Sequence, residues 1–359
     1  MTPAHPRRSL PALTSLRFIA ASGVLLFHLA VGHDLAALPL PLRGWLQAGY
    51  LGVTFFFVLS GFVLYYVYCP EREDAAPQTR LRDFALARAA RLAPAYYLAL
   101  AIALPFVWTQ VNAGAVSSHA AASALVLTPA LLQAWYPPAS MVWNAPAWSL
   151  SVEAFFYAAM LPLAAWSARH SRRAMFALAA ALLAASVAIV HVLPHAFDMT
   201  SADGQKFIGY FPPFHLASFV TGMATARWFI FGPRQAASTH TALFFASAAA
   251  VLALLGWRDA IAWWHWLYWA LVPLFALVVY GAASLEGPAA RVLEHPWLVL
   301  LGDASYALYI LHVPLLMWAF GGMPIAPATG VAAAAAIVGL SVLTYRFLET
   351  PLRRRIARL

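Results

Sequence analysis

The sequence is poor in charge. Only 10% of its 359 residues are charged, whereas 63% are hydrophobic. A soluble domain usually has about 25% charged residues, so this composition excludes a soluble fold. The mean hydropathy is +0.73, and many apolar runs approach the roughly 20 residues that cross a bilayer. These features predict a multi-pass helical membrane protein.

Two residue types are almost missing. Cys69 is the only cysteine, so no disulfide within the chain and no cysteine metal site can form, and we predict no bound metal. Lys206 is the only lysine, and arginine supplies nearly all of the formal net charge of +9. We expect these arginines to mark cytoplasmic loops, and we predict no nucleic-acid partner. Long hydrophilic segments are also lacking, so a single integral-membrane domain over residues 1–359, without an appended soluble domain, is expected.

Apolar segments and basic linkers together predict a topology. Arginines flank the first and last apolar segments (Arg7 and Arg8; Arg353 to Arg355), which places both termini in the cytoplasm and makes the number of crossings even. The apolar segments fall near residues 13–31, 48–68, 84–109, 120–136, 145–166, 174–193, 211–231, 239–256, 262–284, 302–320 and 327–348.

One of these segments is not expected to cross. Basic linkers precede the third segment and occupy residues 169–173, so the chain must cross twice between them, yet three apolar segments occur there. Segment 120–136 is short, contains Pro129 and ends at Pro137, which indicates a re-entrant or interfacial piece. The predicted fold is therefore all-α, with about ten transmembrane helices, one such segment and both termini cytoplasmic.

The first predicted span carries two polar residues, Arg17 and His28. At about 100° and 1.5 Å per residue, they return to nearly the same helix face, roughly 16 Å apart. A charged arginine in hydrocarbon costs at least ~2.5 kcal/mol, so such residues usually face a protein interior or an aqueous cavity. We predict that this face lines a site.

Basic side chains also gather at the inner ends of spans. Arg88 and Arg91 are three residues apart and share a helix face, where two guanidinium groups would suit a phosphate. The alternative for this pair is a simple positive-inside anchor. Arg346 and Glu349 are expected to form a salt bridge at the end of the last span.

Two further spans carry polar stripes. In the span at 145–166, Glu153 lies one turn from Ser149, and Ser149 directly follows Trp148. The alternative role of Glu153 is a structural ion pair. In the span at 302–320, a four-plus-three spacing places three polar residues on one helix face: Ser305, Tyr309 and His312. The alternative for His312 is a packed, hydrogen-bonded histidine without a catalytic role. The remaining histidines considered are expected in loops or at helix ends: His191, His195, His215 and His240.

Together these stretches resemble a known family. The runs RFIAASGVLLFHLA, GYLGVTFFFVLSGFVL, RAARLAPAYYLAL, WSLSVEAFFY, GDASYALYILHVPLL and YRFLETPLR are similar, in this order, to the acyltransferase-3 family of bacterial integral-membrane O-acyltransferases. The resemblance covers about residues 10–352. It implies a multi-pass protein of the bacterial inner (cytoplasmic) membrane that holds no bound cofactor. It also implies transfer of an acyl group, often acetyl, from cytoplasmic acyl-coenzyme A to a hydroxyl of an envelope or exported glycan, a lipid or a small molecule.

The resemblance also implies roles for individual residues. The arginines would bind the donor, with Arg88 and Arg91 at the cytoplasmic mouth and Arg17 deeper. His28 would act as general base on the acceptor hydroxyl, or would itself be acylated, and Glu153 would orient its imidazole. Some members that acylate glycans have an acidic residue where this chain has Thr54. A histidine–aspartate pair through that position therefore does not carry over to this chain. Supporting roles are expected for Trp148, Ser149, Ser305, Tyr309 and His312.

Two other classes of protein would also place polar residues in membrane spans. A transporter or flippase of a glycan precursor or metabolite would need a polar cavity without acyl transfer. However, we find no inverted repeat and no matching pair of broken spans. A non-catalytic sensor or scaffold would not require Arg17, His28 and Glu153 to be buried together. Transfer of labelled acyl to an acceptor discriminates an enzyme from a transporter.

Overall fold

A computed structural model describes residues 8–196, 201–260, 267–321, 323 and 326–356; the predicted topology marker Arg7 lies outside them. This part of the chain contains helices and no β-strand, in agreement with the all-α prediction. The α-helices, numbered α1 to α16 in chain order, are Pro11–Ala30, Leu40–Ala48, Gly52–Tyr68, Leu81–Asn112, Ser118–Leu127, Trp148–Ala168, Arg172–Ala196, Ala202–Tyr210, Leu216–Phe231, Ala237–Gly256, Leu267–Ala283, Gly287–Leu293, Pro296–Asp303, Ser305–Phe320, Pro327–Thr344 and Thr350–Ile356.

The described helices support a multi-pass membrane protein. Seven helical stretches are long and apolar enough to cross a bilayer, and up to nine if each of two bent pairs forms one span. The bent pairs are α11 with α12, at 99°, and α13 with α14, at 56°. The predicted crossing at 211–231 holds α9, whose 16 residues span about 24 Å, less than the ~30 Å hydrocarbon core. Ten crossings and cytoplasmic termini therefore stay predictions.

The helix boundaries differ from the sequence expectation in two places. Residues 32–47, which lie between the first two predicted apolar segments, contain α2. Pro41 occupies an early position of this helix, a place that proline favours. With a 3₁₀ turn at Gly49–Leu51, α2 and α3 form one apolar stretch. The predicted span 302–320 is broken at Ala304, between α13 and α14.

The segment predicted not to cross forms a short helix and irregular turns. Helix α5 has 10 residues and is therefore about 15 Å long, half of the hydrocarbon thickness. It is followed by Leu131, whose φ of 59° is left-handed, and then by 3₁₀ turns at Gln133–Trp135 and Pro137–Ala139. A helix of this length cannot cross the bilayer by itself, and the re-entrant or interfacial placement stays a prediction.

Helix α3 lies at the centre of the molecule. In the stretch Leu40–Tyr68, which includes α3, 61% of an 18-residue apolar segment is buried inside the protein. The corresponding share is 11% in Ala328–Ile356, at the periphery. Helix α3 packs closely on α9. The backbones approach so closely that a Cβ added at Gly222 would lie 2.0 Å from the Val58 carbonyl oxygen. Such close helix approach is the usual role of glycine in membrane bundles.

Helix α1 is held against the C-terminal part of the chain. Gly302 of α13 leaves no space for a Cβ, which would lie 2.0 Å from the carbonyl oxygen of Thr14. The buried hydroxyl of Ser15 donates a hydrogen bond to the carbonyl of Leu293. Helix α1 also packs on α3 and α14. These contacts direct its polar face toward the interior of the helix bundle.

Candidate active site

The polar faces of five helices meet at one cavity. It lies between α1, α3, α4, α6 and α14, and its empty space is about 830 Å³ with the open mouth included. The lining includes seven of the site residues predicted from the sequence: Arg17, Arg88, Arg91, Ser149, Glu153, Ser305 and Tyr309.

Three arginines give the cavity a positive charge. Its charged lining residues are Arg17, Arg88, Arg91 and the single acid Glu153, a formal surplus of two positive charges. The Arg88 guanidinium donates to the Tyr68 hydroxyl at 3.2 Å. Its Nε is buried and has no hydrogen-bond partner among the described residues. Such a donor is available to an anion that enters the cavity.

The predicted pair of Arg346 with Glu349 does not form. Instead, Glu349 Oε2 lies 3.6 Å from Nη1 of Arg91. Residues Tyr345–Glu349 form a π-helical turn, which changes the angular spacing between residues three apart and turns Glu349 inward. Glu349 is 3% exposed, so the last span contributes a buried acid beside the cavity arginines.

Glu153 is held by α3. Its Oε1 accepts a hydrogen bond from the Ser60 hydroxyl at 3.3 Å, and both residues line the cavity. Within the described chain, no hydrogen bond joins Glu153 to His28. The expected orientation of the His28 imidazole by Glu153 therefore has no contact to support it.

Ser149 and Tyr309 form a buried hydroxyl pair. Their oxygens lie 2.7 Å apart, and both hydroxyls lie within hydrogen-bond distance of the Pro146 carbonyl, at 3.0 and 3.1 Å. This pair joins α6 to α14 across the cavity. Ser305 also lines the cavity, but its hydroxyl donates to the Gly302 carbonyl at 2.7 Å, beside the break between α13 and α14.

The two remaining histidines of the prediction meet outside the cavity lining. Nδ1 of the half-buried His28 lies 3.1 Å from Nε2 of His312, whose side chain is 1% exposed. Tyr309 connects this pair to the cavity. It lines the cavity, and its ring centroid lies 6.1 Å from that of His312. Helical spacing placed these residues on the faces of their own helices, and the packing of α1 on α14 brings the faces together.

The buried environment of His215 was not predicted from the sequence. This residue ends a 3₁₀ turn before α9, as a helix-end histidine was expected to do, but it is 5% exposed. Its Nδ1 lies 2.7 Å from the Tyr268 hydroxyl, and its ring centroid lies 5.4 Å from that of Trp148. Trp148 therefore packs on an aromatic cluster beside the cavity. His240 also lies at a helix end, in the first turn of α10, and is likewise buried. No signal in the sequence distinguishes either histidine from an exposed one.

The fold and the cavity define a multi-pass membrane protein with a buried, positively charged polar site. Comparison with known proteins identifies its class, because the acyltransferase domain characteristic of the acyltransferase-3 family matches residues 10–346. The chain belongs to this family and is an enzyme that transfers acyl groups other than amino-acyl groups. The family predicted from the sequence motifs is confirmed.

Several curated relatives are similar over most of the chain. The exopolysaccharide production protein ExoZ of Rhizobium meliloti is 30% identical over 322 residues, covering 86% of this chain and 90% of ExoZ. The acyltransferase MdmB of Streptomyces mycarofaciens is 27% identical, covering 86% of this chain and 79% of MdmB. The peptidoglycan O-acetyltransferase OatA of Listeria monocytogenes is 22% identical, covering 98% of this chain but 57% of OatA. No solved structure matches the chain.

Proposed function

We propose that this protein is a bacterial inner-membrane O-acyltransferase that moves an acyl group, often acetyl, from cytoplasmic acyl-coenzyme A to a hydroxyl of an envelope or exported glycan. The observation that carries the proposal is the cavity in which Arg17, Arg88 and Arg91 converge. Coenzyme A carries several phosphates, and arginine binds phosphate through charge-assisted, often bidentate hydrogen bonds. The name of the relative ExoZ, an exopolysaccharide production protein, supports a polysaccharide acceptor.

The reaction requires a base, because an alcohol is a weak nucleophile at neutral pH. An unperturbed imidazole has a pKa of about 6.5 and suits this task. In the proposed reaction, the acceptor hydroxyl loses its proton to His28 as its oxygen attacks the thioester carbonyl. The carbon–sulfur bond then breaks, and the proton passes to the leaving thiolate to give coenzyme A.

The donor site is tested with arginine variants on one helix. Arg88→Gln and Arg91→Gln should raise the KM for acetyl-coenzyme A, because each removes a cation from the cavity. Arg82→Gln is the matched control, since Arg82 lies on the same helix and is exposed. The measurement is coenzyme A release in membrane vesicles that contain the variant. Equal KM values in all three variants would make Arg88 and Arg91 positive-inside anchors.

The acceptor class is tested by mass spectrometry of envelope glycans from cells with and without this protein. Loss of an acyl group from a glycan is the expected result. Loss from a lipid or a secreted small molecule, with intact glycans, would assign a different acceptor. His28→Ala in folded protein should abolish the transfer, and wild-type transfer by this variant would contradict the proposed base.

A further inference from the structure

The contact between His28 and His312 determines where the protons of both imidazoles lie. Nδ1 of His312 lies 2.7 Å from the carbonyl oxygen of Tyr309. A carbonyl oxygen only accepts hydrogen bonds, so Nδ1 of His312 carries a proton. The His312 side chain is 1% exposed, and no acidic side chain of the described residues hydrogen-bonds to it. Burying a charged imidazole without such a partner is costly, so His312 is neutral and its Nε2 presents a lone pair.

The two neighbours of Nδ1 likewise fix the tautomer of His28. Its Nδ1 lies 2.9 Å from the Val24 carbonyl oxygen and 3.1 Å from Nε2 of His312. Both of these neighbours are acceptors, so the proton of a neutral His28 is on Nδ1 and is shared between them. The lone pair of His28 is therefore on Nε2, which none of the hydrogen bonds among the described residues engages.

We propose that His312 is a positioning residue that holds His28 in the tautomer with a free Nε2. The proposal rests on the proposed function, in which His28 takes a proton from the acceptor hydroxyl. When Nε2 gains that proton, the hydrogen bond from Nδ1 of His28 to Nε2 of His312 becomes charge-assisted and stabilises the imidazolium. A neutral imidazole thus takes the position that an acidic residue holds beside many catalytic histidines.

The surroundings of the pair exclude the other candidates for this role. Glu153 is bonded to Ser60, and the side chain at position 54 is a threonine. The ring nearest to His28 on its own helix is Phe27, with centroids 5.0 Å apart, which offers no hydrogen-bond acceptor comparable to an imidazole nitrogen. His312 is therefore the side chain that orients His28.

The first test is nitrogen NMR of ring-labelled histidine in the wild-type protein, reconstituted in lipid. His28→Gln identifies the His28 signals by their loss. We expect a protonated Nδ1 and an unprotonated Nε2 at neutral pH. A protonated Nε2, or an imidazolium, would overturn the proposal. This measurement needs neither donor nor acceptor, so its failure is distinct from failure of the proposed function.

The second test compares His312→Gln with His312→Leu. The glutamine carbonyl can replace Nε2 as acceptor, whereas leucine cannot. We expect His312→Leu to lower kcat for coenzyme A release from acetyl-coenzyme A by about 100-fold or more, with an unchanged donor KM, because the His28 imidazolium then keeps only the Val24 carbonyl as acceptor. His312→Gln should keep the wild-type tautomer and recover most of the lost kcat. Wild-type kcat in His312→Leu would refute the positioning role. If that variant does not fold, the tautomer of His28 in the wild-type protein decides, and an unprotonated Nδ1 would refute the role.

Discussion

The packing of α3 on α9 leads to a strong prediction for Gly222→Ala. The added Cβ would lie 2.0 Å from the Val58 carbonyl oxygen and 2.8 Å from the Phe62 nitrogen, whereas ordinary contact begins at 3.4 Å. The backbones must therefore separate by about an ångström, and overpacking of this kind costs about 1–3 kcal/mol. Each kcal/mol lowers the melting temperature of a domain of 150–250 residues by about 2–4 °C, so we expect a decrease of several degrees.

The only cysteine provides the assay. Cys69 directly follows α3 and is 7% exposed, so its thiol should react with a fluorogenic maleimide only as the detergent-solubilised protein unfolds. Gly339→Ala is the matched control, because a Cβ at Gly339 of α15 meets no atom within 4 Å. There, alanine should leave the melting temperature unchanged or raise it slightly, since glycine costs a helix about 0.5–1 kcal/mol relative to alanine.

Helix α3 also carries part of the cavity wall, including Phe56, Phe57 and Ser60. The folded fraction of Gly222→Ala should therefore show a raised KM for acetyl-coenzyme A as well as lower stability. If Gly222→Ala and Gly339→Ala melt at the same temperature as the wild type, close approach of α3 and α9 does not determine the position of α3.

Three further predictions concern side-chain pairs. Glu73→Gln should lower the melting temperature strongly. Arg227 is 2% exposed and lies 3.2 Å from Glu73, so the variant leaves a buried charge without its counter-ion. Asp74→Asn is the control and should not lower the melting temperature, because Asp74 forms an exposed pair with Arg72. Glu349→Gln removes the carboxylate 3.6 Å from Arg91 and should lower the KM for acetyl-coenzyme A, so a raised KM would contradict a donor-binding role of Arg91. Ser149→Ala and Tyr309→Phe each remove the shared hydrogen bond of 2.7 Å, and their effects on unfolding should be non-additive, with a coupling free energy of about 1 kcal/mol; strict additivity would show that the hydroxyls do not interact.

The all-helical class and the charged residues of the cavity could be predicted from the sequence alone. Arg17, Arg88, Arg91 and Glu153 lie in or beside apolar spans, and a charge there must face protein or water because hydrocarbon cannot solvate it. All four line one cavity. The family could also be predicted, since its motifs occur along the whole chain in order.

Which side chains meet depends on how the helices pack, and it could not be predicted from the sequence. Helical periodicity places a residue on one face of its own helix, but the rotation and offset between helices depend on packing, such as that of Gly222 on Val58. For this reason the partner of His28 is His312, and the partner of Glu349 is Arg91. A π-turn, a break at Ala304 and a buried His215 were equally beyond local pattern, because each depends on neighbours distant in the chain.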